Sequence, residues 1–302
     1  MSLIVEVSAA AIRSSTPFVL GGSGELISER AGVLNLGIEG TFYAGAFFGF
    51  WAAFETGSLT VGIGAAIAVG ILAGLILGLT TVTLGVNQHI AGLGLTIGLI
   101  GISEFTNRQV FGSSGGQPPQ IDSFSQWDPF GLGGITRQYG MTYIALFVIV
   151  PLVSLMFAKT RLGLEITAVG ENPEAVDVAG VSVHRTRYVA VILGSILMAL
   201  GGAFLTLAVL GSFTLNIVNG RGWVCLALVI FGRWKVRGMM LGAAVFAIVF
   251  ALQLRLRLLS AFEDIPFELL LALPYIATLI ALVVAGRGTH YPSAYLKPYR
   301  RS

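Results

Sequence analysis

The sequence predicts an all-α, polytopic integral membrane protein of about 8–9 transmembrane or re-entrant helices. Three features carry that expectation. Hydrophobic residues fill 55% of the 302 positions and charged residues only 11%, whereas a soluble domain carries about 25% charged residues. The mean hydropathy is +0.85. The apolar residues fall into long runs, and one polar stretch, Thr160 to Arg187, divides them. A single transmembrane domain over 1–302 follows, with a first half to 158, a polar loop over 159–187, a second half over 188–286 and a tail over 287–302.

Nine apolar segments can be marked, at 3–27, 34–54, 60–80, 84–103, 141–158, 188–211, 217–231, 238–258 and 267–286. The second and seventh are short of a clean apolar span and rich in Gly or Asn, which marks them as candidates for broken or re-entrant helices. One falls in each half. Paired broken segments point to the substrate path in transporters, although these two share little sequence. The 40 glycines suit helices that pack closely in a bilayer.

Basic residues orient the layout. With the polar loop on the cytoplasmic side, alternation places Arg30, Lys159, Arg161, Arg185, Arg187, Arg233, Lys235, Arg237, Arg287, Lys297, Arg300 and Arg301 inside. Only Arg108, Arg137, Arg255 and Arg257 lie outside, and Arg13 and Arg221 fall within segments. Twelve against four is a positive-inside bias. It implies an external N-terminus and an internal C-terminus. The first residues, Met1 to Ala11, lack a basic n-region, so no cleaved signal peptide is expected. The longest external stretch, Ser103 to Gly140, contains the Gly/Ser run Gly112 to Gly116 and Gln117-Pro118-Pro119, which interrupt any helix. Its aromatic residues Phe124, Trp127 and Phe130 suit either a connector or a segment folded over the membrane surface or onto an external partner.

Enzyme chemistry finds little support. His89, His184 and His290 are far apart and show no metal-ligand spacing, and the lone cysteine, Cys225, lies in an apolar run. A Walker A lysine follows Gly and precedes Ser or Thr; here only Lys159 precedes Thr, with Ala158 before it. The basic residues lie in short loops rather than one patch, so nucleic acid is not an expected partner. No catalytic residue, metal or cofactor is expected.

The polar loop carries Arg161, Glu165, Glu171, Glu174, Asp177, Arg185 and Arg187, charges too costly to leave in hydrocarbon. Within it, Asn172 suits an N-cap and Pro173 a first helical position, Glu174 and Asp177 sit near the positive helix end, and Gly180 supplies a stop. A short exposed helix over Pro173–Ala179 is expected between two membrane segments; an ordinary solvated loop is the plainer alternative.

Polar residues also stand inside or beside apolar segments: Asn35 and Glu39 near the second, Asn87, Gln88 and His89 at the fourth, and Asn216, Asn219, Arg221 and Trp223 at the seventh. Ionisable groups at membrane depth are functional candidates. A four-residue spacing would place Asn35 and Glu39 on one helix face. Glu39 could equally form a structural pair with Arg30. His89 reads better as a packing or interfacial residue, Arg221 as either a snorkelling or a pathway residue, and Trp223 as an interface anchor.

The loop Val169-Gly170-Glu171-Asn172-Pro173-Glu174-Ala175-Val176-Asp177-Val178-Ala179-Gly180-Val181 resembles the cytoplasmic coupling loop of ABC importer permeases of the ribose and branched-chain amino acid class. Within that class, Glu29-Arg30-Ala31-Gly32-Val33-Leu34-Asn35-Leu36-Gly37-Ile38-Glu39-Gly40 resembles the early signature of nucleoside, guanosine-type, permeases. Asn219-Gly220-Arg221-Gly222-Trp223, Ile230-Phe231-Gly232-Arg233-Trp234 and Lys297-Pro298-Tyr299-Arg300-Arg301 extend the similarity from Gly22 to Arg301. Asn87 departs from it, standing where the family more often has an acidic residue. The resemblance implies a permease subunit in the bacterial inner membrane. It would work with ABC ATPase subunits or a fused double ATPase, a second permease in a heterodimer, and an extracytoplasmic substrate-binding protein. Coupling would involve Gly170, Glu171, Asn172, Pro173, Glu174, Ala175, Asp177 and Gly180. For a nucleoside path, Asn35, Glu39, Gln88 and Arg221 are the candidate polar lining, and Phe42 and Trp223 the apolar surface. Ribose-like sugars and branched-chain amino acids belong to sister groups. An ion-coupled carrier using Glu39, and a membrane enzyme or scaffold, are the alternatives of other classes.

Overall fold

The computed structural model describes residues 3–112, 119–131, 133–256 and 291–299, with scattered positions between 269 and 283. The chain is mostly helical. Helix α1 (Leu3–Arg30) is followed by a non-helical break and α2 (Ile38–Thr56). Helix α3 (Leu59–Gly78) runs into a π-helical turn over Leu79–Thr83, and α4 (Gln88–Phe111) returns across the bundle. Helices α5 (Gly140–Ile144) and α6 (Val150–Lys159) are joined by the π turn Ala145–Ile149 into one rod. The polar loop then forms α7 (Arg161–Glu171) and α8 (Pro173–Val178). Helix α9 (Val183–Phe204) ends in the π turn Leu205–Leu210. A second break leads to α10 (Arg221–Phe231) and then α11 (Val236–Leu256). The ninth apolar segment, 267–286, lies largely outside the described residues, as do Ser113 to Pro118 of the Gly/Ser and proline stretch.

Five described stretches are long and apolar enough to cross a membrane: Leu59–Thr83, Gln88–Phe111, Gly140–Lys159, Val183–Leu210 and Val236–Gln253. Helices α1 and α2 are not among them; both carry acidic residues within their apolar runs. Glu25, Glu29 and Glu39 on them are all buried, and a helix enclosed by other helices need not match lipid. Helix α10 has 11 residues, a rise of about 16 Å against a hydrocarbon core of about 30 Å. It cannot span alone.

Helix α9 is the centre, packed against α1, α2 and α3, with α11 on the far side of α1. Small residues set these approaches. A Cβ on Gly24 would meet the Gly194 carbonyl, and one on Gly202 the Phe42 carbonyl, so α1 and α2 touch α9 backbone to backbone. Helices α4 and α5–α6 are outermost and expose Ile90, Ile97, Phe105, Phe147 and Leu152. Segment 119–139 folds onto the bundle rather than hanging as a connector. Its Ile121 and Phe124 amides donate to the Gly211 and Leu207 carbonyls at 2.8 and 2.9 Å, and β1 (Gln126–Trp127) pairs antiparallel with β2 (Gln138–Tyr139). Asp128 closes its turn, accepting from Thr136 Oγ1 and the Gly133 amide, both at 2.7 Å. The Thr136 bond, then the backbone amides, hold its carboxyl below the usual aspartate range.

Gly202→Val is expected to destabilise the bundle by about 1–3 kcal/mol or more, because the opposing atom is a backbone carbonyl that no rotamer change can move. A thermal aggregation assay in detergent would read this as a lowered transition, and a wild-type transition would contradict the close α2–α9 approach.

Candidate functional site

The two breaks leave backbone amides without helical partners, and in a membrane these must be satisfied by protein. The first break, 31–37, is closed by backbone carbonyls for the amides of Ala31, Gly32 and Val33 and by side chains for those of Leu34 and Asn35. The Leu34 amide donates to Gln88 Oε1 at 2.8 Å, and the Asn35 amide to Glu25 Oε1 at 3.0 Å. Gln88 Nε2 donates in turn to the Gly32 carbonyl at 3.4 Å. Asn35 is fully buried, its Nδ2 donating to Ser195 Oγ and Met198 Sδ, both at 3.3 Å.

The second break, 211–220, is closed by Glu39. Its Oε1 accepts from the Gly220 amide and its Oε2 from the Gly222 amide, both at 2.7 Å. A carboxylate on α2 thus caps the N-terminus of α10, where orphan amides and the helix dipole both favour negative charge. Gly222 permits it, since a Cβ there would lie 2.6 Å from Glu39 Oε2. Arg221 turns back to the break, donating through Nη1 to the Ile217 and Val218 carbonyls at 2.6 and 3.0 Å, and its guanidinium lies 4.8 Å from the Phe250 ring centroid.

These positions correct two sequence expectations. Helix α2 begins at Ile38, so Asn35 lies in the break and shares no helix face with Glu39. Nor does Arg30 pair with Glu39; its Nη2 donates to Thr167 Oγ1 at 3.0 Å and its Nη1 to the Trp234 carbonyl at 3.4 Å. The structure does gather most of the candidate lining. Asn35 and Gln88 meet at the first break, and Glu39 joins that region to Arg221 and Trp223 at the second. Phe42 is fully buried beside Gly21 and Gly201, while Trp223 is 36% exposed. Asn87 caps α4, its Oδ1 accepting from the His89 and Ile90 amides at 2.9 and 3.4 Å. An aspartate would cap equally well, which accounts for the departure at this position.

The polar loop forms the expected short helix, with one more before it. Thr160 caps α7 through Gly163 at 3.1 Å, Asn172 caps α8 through Ala175 at 3.0 Å, and Ser182 caps α9 through Arg185 at 3.4 Å. Ala179 stands at the C-cap of α8, and Gly180 follows at φ +82° with open space around it. Val176 packs inward on Val169 and Val183. Glu171, Asn172, Glu174, Ala175 and Val178 are exposed, Val178 at 91%; Asp177 is half-buried. Gly170 lies against the Arg30 carbonyl with no room for a Cβ, which fixes the loop to the end of α1.

Sequence reasoning missed the structural part played by Glu25, Glu29, Trp234 and the tail. Trp234 Nε1 donates to Glu29 Oε2 at 2.5 Å. Across the tail, the Ala294 amide reaches the Gly170 carbonyl at 2.8 Å, the Leu296 amide the Gly32 carbonyl at 3.2 Å, and Arg187 Nη1 the Lys297 carbonyl at 3.0 Å. Acidic residues near an apolar run were the available signal for Glu25 and Glu29. No short-range pattern announces the tail contacts.

The apolar helices define a membrane protein with several described helices long enough to cross a bilayer. The chain belongs to the family described as branched-chain amino acid transport system / permease component, which matches residues 8–287. It is 35% identical to a putative glucose ABC transporter permease protein, TsgC13, of Haloferax volcanii, covering 100% of this chain and 99% of that one. It is 30% identical to the guanosine ABC transporter permease protein NupQ of Bacillus subtilis, over 99% and 97%. It is also 30% identical to the nucleoside ABC transporter permease protein NupC of Lactococcus lactis, over 89% of each. No solved structure matches the chain. Such permeases are transport components rather than enzymes, and the family implies ATPase and binding-protein partners.

Two substitutions separate capping from other roles. Asn87→Asp is expected to leave stability unchanged and Asn87→Ala to cost about 0.5–2 kcal/mol, both read from thermal unfolding of the purified protein. Glu39→Gln keeps one acceptor but turns an NH₂ group toward a buried amide, at a cost of about 1–3 kcal/mol. It should slow transport more than it alters apparent affinity, and unchanged uptake at normal expression would remove Glu39 from the machinery.

Proposed function

We propose that this chain is a permease subunit of an ATP-driven importer that moves a nucleoside delivered by an extracytoplasmic binding protein. The observation that carries the ATP-driven part is α8, a capped and largely exposed helix held at its base by Gly170 against the Arg30 carbonyl. Closure of two ATPase domains moves α8, and the permease pair opens alternately to either side. Docking biases a two-state membrane assembly. The coupling group is Gly170, Glu171, Asn172, Pro173, Glu174, Ala175, Asp177 and Gly180. On this reading the loop and C-terminus face the cytoplasm across the bacterial inner membrane. Arg30, Arg187 and Lys297, which the charge bias assigns inside, all meet at the α8 end.

Asn35, Glu39, Phe42, Gln88, Arg221 and Trp223 border the substrate path in this proposal. Their support is position: apart from Phe42, which is buried beside them, they stand at the two helix breaks, and interrupted helices hold substrates in secondary transporters. A second, related permease completes the path across the outer, exposed helices. The guanosine and nucleoside relatives and the early signature favour a nucleoside. The full-length similarity to a glucose permease supports a second reading, a hexose, with the same coupling.

Uptake of labelled guanosine by cells with and without the gene tests both readings. Gene-dependent and ATP-dependent uptake, blocked by adenosine but not by glucose, ribose or leucine, is the expected result. Gene- and ATP-dependent uptake of labelled glucose, with none of guanosine, would move the substrate and keep the permease. Uptake indifferent to ATP depletion would end the coupling proposal.

A further inference from the structure

Two carboxyl groups are buried together where α1 meets the first break. Glu25 and Glu29 stand about one turn apart on α1 and share a helix face, and both are fully buried. Their donors are unequal. Glu25 Oε1 accepts from the Asn35 amide at 3.0 Å. Glu29 Oε2 accepts from Trp234 Nε1 at 2.5 Å, and Glu29 also bonds the Tyr295 side chain in the tail. One oxygen of each, Glu25 Oε2 and Glu29 Oε1, meets no N–H or O–H donor, yet the two side chains lie within hydrogen-bonding reach of each other.

Among the described residues no cation offsets the pair. Arg30 is turned to Thr167 and the Trp234 carbonyl, and Arg187, across Gly32, to the Lys297 carbonyl. Cys225 on α10 directs its thiol at the Phe18 carbonyl, and Glu39 on α2 is occupied by the Gly220 and Gly222 amides. Adjacent buried carboxylates do not both stay ionised without compensation, and neither offers the other a donor. A single proton answers both demands, removing one charge and bridging the two orphan oxygens. It belongs on Glu25, because the Trp234 and Tyr295 donors favour the charged form of Glu29.

We propose that Glu25 and Glu29 share one proton, carried on Glu25, and that the pair is a clasp seating the tail on the first break until that proton is withdrawn. The contacts run from the Asn35 amide through Glu25 and Glu29 to Tyr295, beside which the Ala294 and Leu296 amides donate to the Gly170 and Gly32 carbonyls. Loss of the proton to solvent base leaves two facing negative charges that only water can relieve. The short tail that covers Glu29 is the element that yields to admit it. The clasp does not depend on which substrate is carried.

Infrared spectroscopy of the purified full-length chain in lipid nanodiscs tests the shared proton. Wild type is expected to show a protonated-carboxyl stretch that both Glu25→Gln and Glu29→Gln remove, because in each variant the new amide NH₂ supplies the missing donor and the remaining carboxyl ionises. A stretch unchanged by either substitution, or removed by only one, overturns the sharing. Hydrogen exchange of segment 291–299, read by mass spectrometry over a pH series, tests the clasp. Wild type should lose tail protection as the stretch disappears on the alkaline side, since the folded chain then gives up a proton it holds at neutral pH. Glu25→Gln, whose donor does not titrate, should keep it. Tail protection in wild type that outlasts the stretch, or the same pH dependence in wild type and Glu25→Gln, overturns the clasp.

Discussion

Two interruptions in the helices, and the need to satisfy the amides they release, govern this molecule. The amides at Leu34 and Asn35 belong to buried residues, and a buried amide left unsatisfied costs about 1–3 kcal/mol. The protein answers with buried polar side chains. Gln88 and Glu25 close the break between α1 and α2, and Glu39 closes the one before α10. Each therefore has a structural duty before any substrate arrives. The distinction between pathway and scaffold residues loses its sharpness here, because the groups nearest the breaks are those that hold them open.

The same breaks connect the membrane core to the polar loop. Gly32, in the first break, receives bonds from Gln88 and from the tail's Leu296, while the tail's Ala294 binds Gly170 at the end of α7. Arg30, closing α1, reaches Thr167 on α7. A displacement of α8 through α7 therefore acts directly on the residues around the first break. Close-packed interiors transmit such shifts rather than absorb them. On the proposed reading this is a short route from ATPase to substrate path, about the width of the α1–tail junction and with no long lever.

Much of this was legible in the sequence, and what was not has a common cause. The apolar runs, the capped helix at Pro173 and the weakness of the second and seventh segments follow from local chemistry. The five spans picked out by length and apolarity omit α1 and α2, which the apolar runs mark at 3–27 and 34–54, because acidic and other polar residues interrupt the apolarity of those two helices. Spacing singled out Glu39 but not its partners, which lie 181 and 183 residues away. The helix-face argument for Asn35 failed because the helix starts later than the apolar run. The tail contacts involve backbone carbonyls of Gly32, Gly170 and Lys297, and backbone acceptors carry no sequence signal.

The weak similarity between the two interrupted segments has a physical explanation of the same kind. The first break is closed by side chains 10 and 54 positions away, one on the preceding helix and one on α4. The second draws its acceptor from the first half of the chain. Each break needs acceptors, but nothing requires that they come from corresponding positions. Next to the second break, Gly222 at the start of α10 leaves room for the Glu39 carboxylate. Two breaks can thus serve one architectural purpose and share almost no residues. The dependence runs both ways: Glu39 on α2 caps α10, while Asn35 in the first break donates to Ser195 and Met198 on α9.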